Sequence, residues 1–493
     1  MPLFRSLLLS FFISSVYAQT QDLIEKSQRA KQAMASKNFD EAIRLYQQLS
    51  RALPDNAGLR MNLALALHSS GRSHEAIPLF QSVLRQKPGM QPARLMLALA
   101  YQKIDQPGKA IPELKAFLRA DPTNETARLE LGDALLKSGQ AEEAAEEFRQ
   151  ITATSSDSAK AWQGLGLTYV SISRRAFDNL EALDSASVYC DVLFARSLVS
   201  SGRYAAAFAT YRQAMAKSQA VPGIHAGLAE VYRATGHGDW AGIEDSRERA
   251  LPATDCTTVS LECLYNSGKY SEVLSAAKQI RSAESYYWQS LASSKLADQA
   301  FDRLSRMPPS PVTYDLLADA YRVQSRFAAA ATEWEKALQL APDDRRLKKN
   351  LAVALSLSGK HERAGELFRQ LIAVEPQWPD LNFQFGAALI RAGMVEEAVG
   401  YLQTAARLAP ENARAQASLG SALFQLDRLA EAIPHLKAAL SSDEDGSVHY
   451  HLGQAYVRTG QRELAIATLR GFNERSKAAP VHRKPAEQEI TPP

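Results

Sequence analysis

A pattern of apolar, small and turn-forming residues returns about every 34 residues along this chain, a period that leaves few folds open. One run is Leu351, Ala352, Leu355, Gly359, Ala364, Phe368, Leu371 and Pro376. One period later it becomes Phe385, Gly386, Leu389, Gly393, Ala398, Leu402, Ala405 and Pro410. The same spacing falls on Leu63, Ala64, Leu67, Gly71, Ala76, Phe80 and Pro88, and on Leu131, Gly132, Leu135, Gly139, Ala144 and Phe148.

Within each period the first apolar set falls at i, i+3, i+4 and i+7 and the second at i, i+4 and i+7, so each set is one face of a helix. Two helices per unit follow. Small residues such as Ala64, Gly132, Ala352 and Gly420 stand where helices must approach closely, with Tyr101, Tyr169, Phe148 and Trp334 filling the space between units. Gly71, Gly139, Gly202, Gly359 and Gly393 supply left-handed turns, and Pro54, Pro88, Pro122, Pro342, Pro376 and Pro410 close the units. A single unit cannot bury its own faces, so stability must come from stacking.

These residues resemble the tetratricopeptide repeat (TPR). The resemblance implies an all-α, right-handed solenoid, here of about fourteen helix-turn-helix units. The units opening near residues 23, 57, 91 and 125, and those near 311, 345, 379, 413 and 446, are regular. The stretch from about 174 to 310 is irregular. Pro308, Pro309 and Pro311 make the strongest break, which divides the chain into an N-terminal lobe over 19–310 and a C-terminal lobe over 311–476. Residues 477–493 lack enough apolar side chains to pack and are expected to be a disordered tail.

Residues 1–18 differ in kind. Arg5, the apolar run Leu7–Ile13 and Val16-Tyr17-Ala18 read as a signal peptide cleaved after Ala18, with an uncleaved anchor as the alternative. The expected location is therefore periplasmic or secreted, with no membrane span in the mature chain. Export raises the question of the three cysteines. Cys256 and Cys263, seven apart on one expected helix, would lie about 10 Å apart along its axis and could not pair. All three are read as buried thiols, with a Cys190 disulfide open only if the irregular middle folds back. Asn124-Glu125-Thr126 is a glycosylation sequon that matters only in a eukaryotic secretory pathway.

Fifty-seven basic and 54 acidic residues nearly cancel, which gives no broad electrostatic case for nucleic acid. Nine histidines contain no His-Glu-x-x-His, and His449 and His451 fall on different helix faces. The cysteine spacing gives no zinc pattern. Gly236-His237-Gly238-Asp239-Trp240-Ala241 matches a loose dinucleotide-binding loop but follows a helix, so a repeat turn is expected there. No catalytic residue, cofactor or metal site is assigned, and the chain is not expected to be an enzyme.

The resemblance implies that the second, fifth, ninth and twelfth places of each first helix line a concave groove. In the first lobe these hold Met61, Leu65, Leu95, Leu99, Leu129, Leu136, Leu167 and Val170, then Val192 and Val199. Further on they turn polar, through Glu230, Arg233 and Glu262 to Asp315, Asp319, Arg322, Arg346 and Lys349. The family's carboxylate clamp needs Lys and Asn at two such places, where the first unit has Ser27 and Lys31, so binding of chaperone tails is not expected. The apolar stripe is either partly buried by neighbouring helices or a groove for an apolar or amphipathic segment of a partner. The expected function is an exported scaffold that binds a protein or peptide and serves assembly of a larger complex. The alternatives are a subunit of a repeat-containing enzyme, of glycosyltransferase or peptidase type, and a polysaccharide-export adaptor.

Overall fold

A computed structural model describes residues 20–252, 254–257, 260–478 and 487–493; the proposed signal peptide lies outside the described residues. Among the described residues all regular structure is helical. The helices are α1 (20–35), α2 (Phe39–Ala52), α3 (Ala57–Ser69), α4 (Ser73–Gln86), α5 (Gln91–Lys103), α6 (Pro107–Ala120), α7 (Glu125–Lys137), α8 (Ala141–Thr154) and α9 (Ala159–Leu183). They continue as α10 (Val188–Ser200), α11 (Tyr204–Lys217), α12 (Ile224–Ala234), α13 (Gly238–Arg249), α14 (Leu261–Asn266), α15 (Tyr270–Ala277), α16 (Ala283–Ser305), α17 (Pro311–Val323) and α18 (Phe327–Leu340). The series ends with α19 (Arg345–Leu357), α20 (His361–Val374), α21 (Pro379–Arg391), α22 (Val395–Leu408), α23 (Ala413–Gln425), α24 (Leu429–Ala439), α25 (Ser447–Arg458) and α26 (Arg462–Ala478).

Among the described residues twelve helical hairpins share one turn. In each, one residue has positive φ: Gly71, Gly139, Gly202, Gly236, Gly268, Gly359, Gly393 and Gly460, and in the other four Lys37, Asp105, Ser325 and Asp427. The residue after it donates its N–H to the carbonyl five positions before it, as from Arg72 to Leu67 and from Arg326 to Tyr321, which caps the first helix. The Gly236 motif is one of these turns. Asn56, Asn124, Asp344 and Asn412 cap the first helices α3, α7, α19 and α23 by accepting backbone N–H bonds. The sequon asparagine is thus a helix cap.

Two of the fourteen expected units are not hairpins. Residues 159–183 form the single helix α9 and residues 283–305 the single helix α16. From Leu167 to Leu183, and throughout α16, no Gly or Pro interrupts the helix-forming run, so the turn is absent where the period would place it.

The chain divides into two compact units, one up to Ile172 and one from Ser173 onward, so the boundary lies within α9 and the proline run lies inside the second unit. The first unit shows how the repeats pack. Phe148 of α8 lies between two glycines: a Cβ on Gly132 would stand 2.6 Å from its ring, and one on Gly164 2.5 Å. Only glycine lets the helices approach the ring this closely.

In the second unit, Leu180, Val192, Phe208, Tyr232, Tyr287 and Leu291 belong to one core, and Trp334, Leu351, Phe368, Phe385, Leu402 and Leu436 to another. The irregular middle does fold back. Ser173 Oγ lies 2.9 Å from Ser290 Oγ and 3.0 Å from Ser294 Oγ, and the rings of Tyr189 and Tyr287 are 5.0 Å apart. The cysteine expectation fails here: Cys256 and Cys263 form a disulfide, with Cα atoms 5.7 Å apart. They do not share a helix, because α14 begins only at Leu261 and Cys256 lies outside it. Cys190 is buried and outside the disulfide. At the C-terminal end α26 runs on to Ala478, and Ile490 and Pro493 are half-buried while the other residues of 487–493 are exposed.

Candidate functional site

Among the first helices of the first unit, α3 is apolar nearly all round. In α3 only Arg60, Asn62, His68 and Ser69 are polar, so it must cover apolar surface on more than the one stripe an ordinary surface helix buries. Met61, at 8 % exposure, belongs to the core. Leu65 on α3, Leu95 and Leu99 on α5, Leu129 and Leu136 on α7, and Leu167 and Val170 on α9 are half-buried. Val192 and Val199 on α10 are buried. The stripe is therefore partly covered by the fold and partly open to water.

Polar groups punctuate it. His68 Nδ1 is 3.0 Å from Ser73 Oγ, and burial, with Lys103 nearby, holds the imidazole below its usual pKa. Asp133, between Leu129 and Leu136 at the ninth place of its helix, has an accessible side chain, yet surrounding protein desolvates the carboxyl and Glu130 adds a like charge. Its pKa rises to about 6. The sequence reading passed over this residue because it followed only the leucines; the phase of the repeat would have found it. Arg196, at the same place of α10 between Val192 and Val199, was missed in the same way, and it lies near Tyr211, Tyr265, Tyr287 and Glu230.

The corresponding face of the C-terminal repeats is charged and internally paired. Asp315 on α17 accepts from Trp334 Nε1 and from Arg346 of α19, each at 2.8 Å. Lys349 of α19 pairs with Asp380 of α21 and stands 5.1 Å from the Trp378 ring. Arg322 donates to Asp319 at 2.6 Å. In the middle, Arg233 pairs with Asp245 at 2.6 Å while Glu230 is exposed and Glu262 half-buried. The structure thus brings Asp315, Arg346, Lys349 and Asp380 into rungs between successive first helices. On α1, Ser27 is half-buried and Lys31 exposed.

His449 is buried against Asp443, whereas His451 stacks on Phe424 with ring centroids 5.0 Å apart and lies 3.0 Å from Ser421 Oγ. Among the described residues no group of three or more His, Cys, Asp or Glu side chains could hold a metal ion, and no helix is long and apolar enough to cross a membrane.

Comparison with known proteins agrees with the repeat geometry. Tetratricopeptide-repeat models match residues 28–90, 95–159, 316–381 and 383–447, and a second tetratricopeptide-repeat model matches 446–476. Similar solved structures include MamA from Desulfovibrio magneticus RS-1, at 21 % identity over 34 % of this chain and 96 % of that one, with a TM-score of 0.31. YrrB, described as a TPR protein with an unusual peptide-binding site, is 21 % identical over 35 % of this chain and 88 % of its own, with a TM-score of 0.29. A thermophilic TPR protein of Thermus thermophilus, TTC0263, is 22 % identical over 34 % of this chain and 92 % of its own, also with a TM-score of 0.29. The superpositions span about a third of the chain, so the assignment rests on the repeat models, which cover more than half of it: the chain belongs to the tetratricopeptide-repeat family.

Proposed function

We propose that this protein is an exported, non-catalytic scaffold whose first-unit inner face takes an apolar or amphipathic segment of a partner protein during assembly of a larger complex. The observation that carries the reading is the half-buried stripe of Leu65, Leu95, Leu99, Leu129, Leu136, Leu167 and Val170. Packing that stripe under a partner's apolar face removes surface from water at about 25 cal/mol per Å², in the helix-in-groove manner. The charged face around Asp315, Asp319 and Arg322 is the poorer candidate, because its charges already have partners within the fold. Export is supported by the Cys256–Cys263 disulfide, since disulfides persist in oxidising compartments.

A photo-crosslinking side chain placed at Leu99, and separately at Asp319, tests the groove in the native host. The expected outcome is a discrete adduct from position 99 and none from 319; the reverse pattern would move the site to the charged repeats. N-terminal sequencing tests export, with Gln19 as the expected first residue and an intact Met1 in a cytoplasmic fraction as the contrary result.

A further inference from the structure

The last residues of the chain return to the middle of the second unit. Ile490 packs, half-buried, against the core that contains Val192, Phe208 and Tyr232. The Tyr232 hydroxyl donates to the Thr491 carbonyl at 2.7 Å, and Glu487 stands 4.0 Å from the Arg203 guanidinium. The ring of Tyr232 is fixed from below, with Phe208 at 5.9 Å and Trp240 at 5.6 Å between centroids. Burial raises the phenol above its usual pKa, so at neutral pH it remains a donor.

The segment Glu487–Pro493 suits such a seat. Thr491 and Pro492 each precede a proline, which holds the backbone extended before docking and lowers the entropy lost on binding. The two prolines carry no N–H to satisfy. The Arg203–Glu487 pair is largely exposed and adds little. Recognition therefore rests on Ile490 in its apolar contact and on the carbonyl bond from Tyr232. Only eight residues separate Ala478 from Glu487 in the sequence, so the segment binds within its own chain and a weak site suffices to hold it.

We propose that the face around Tyr232, Arg203 and the adjoining core of α10–α13 is a binding site for an extended Glu-x-x-Ile-Thr-Pro-Pro segment, occupied in the resting chain by its own C-terminus. A partner that uses this face must displace the segment, so the C-terminus is a built-in competitor. The idea rests on the scaffold reading for its purpose, but its test uses no partner, and its failure leaves the first-unit groove untouched.

The test is fluorescence anisotropy with a labelled peptide of residues 487–493, added to the full chain and to a chain ending at Ala486, with unlabelled peptide as competitor up to about 5 mM. The shortened chain is expected to bind the peptide, and the full chain at least ten-fold more weakly. A peptide carrying Ile490→Asp should not bind, and Tyr232→Phe in the shortened chain should weaken binding several-fold with helicity unchanged. If the shortened chain unfolds, full-length Ile490→Asp replaces it, since it should free the site and bind the wild-type peptide. Absence of binding to the opened site at about 5 mM, or equal binding by full and opened chains, would overturn the proposal.

Discussion

The first helices of the first unit and of the C-terminal repeats are built into the same hairpin and differ in what they leave unfinished. In α17–α22 a charge on one first helix meets its counter-charge on the next, as Asp315 meets Arg346 and Lys349 meets Asp380. In α3, α5, α7 and α9 the first helices instead carry Leu65, Leu95, Leu99, Leu129, Leu136 and Leu167, which neighbouring helices only half cover. A set of paired charges offers a partner little, because each pair must be opened and desolvated before it can bind. Half-covered leucines offer free energy that the fold itself has not used. The repeat supplies the frame in both regions; the side chains carried on its first helices make the two faces different.

The largest effect that can sharpen this comparison is on the frame. Gly132→Ala forces a Cβ into the Phe148 ring, which Gly164 blocks from the other side, whereas Gly365→Ala meets only the far end of the Arg369 side chain, which can swing away. Thermal melts should show a loss of about 1–3 kcal/mol at 132 and little or none at 365. Equal losses would mean that Phe148 is free to move.

Next is Asp315→Ala, which strips the acceptor from the indole N–H of Trp334, a side chain 1 % exposed, as well as the partner from Arg346. The unsatisfied donor sets a cost of about 1–3 kcal/mol by denaturant unfolding, while Arg346→Ala, which removes only an exposed pair, should cost under about 1 kcal/mol and less in salt.

Ser325→Gly should act in the opposite direction. Ser325 holds φ at 59°, where an L residue is strained, so the change should stabilise the C-terminal repeats by up to about 1 kcal/mol, less the extra freedom glycine gives the unfolded chain.

The smallest effect is on pH dependence. With its pKa raised to about 6, Asp133 binds its proton more tightly folded than unfolded, so its contribution falls as pH rises from its ordinary range near 4 through about 6. Asp133→Asn should therefore melt slightly higher than wild type at pH 7.5 and alike at pH 4. No difference at pH 7.5 would show that water solvates the carboxyl fully.

Much of this was legible in the sequence because each signal is local. A hairpin turn needs one left-handed residue at a fixed place, and the recurring glycines mark eight of the twelve. The same locality explains the misses. Nothing at Ser173 forbids a turn, since Ser325 makes one, but the uninterrupted helix-forming run carries α9 straight through. The cysteine pair was misjudged by extending a helix over Cys256, where the backbone is irregular. The seat of Ile490 on the core of the middle repeats joins residues more than 250 apart, which no repeat period encodes. The leucine stripe was legible by phase; its half-burial was not, because that depends on how closely successive first helices stack.

The central claim is that this stripe binds a partner and is not part of the core. Its most direct test is the triple variant Leu65→Glu, Leu99→Glu, Leu167→Glu, measured for partner capture from the exported fraction and for melting temperature. A folded variant, melting within a few degrees of wild type and capturing no partner, is the predicted result. A variant that unfolds would place the leucines in the core, where unpaired carboxylates are not tolerated, and a folded variant that still captures its partner would contradict the account.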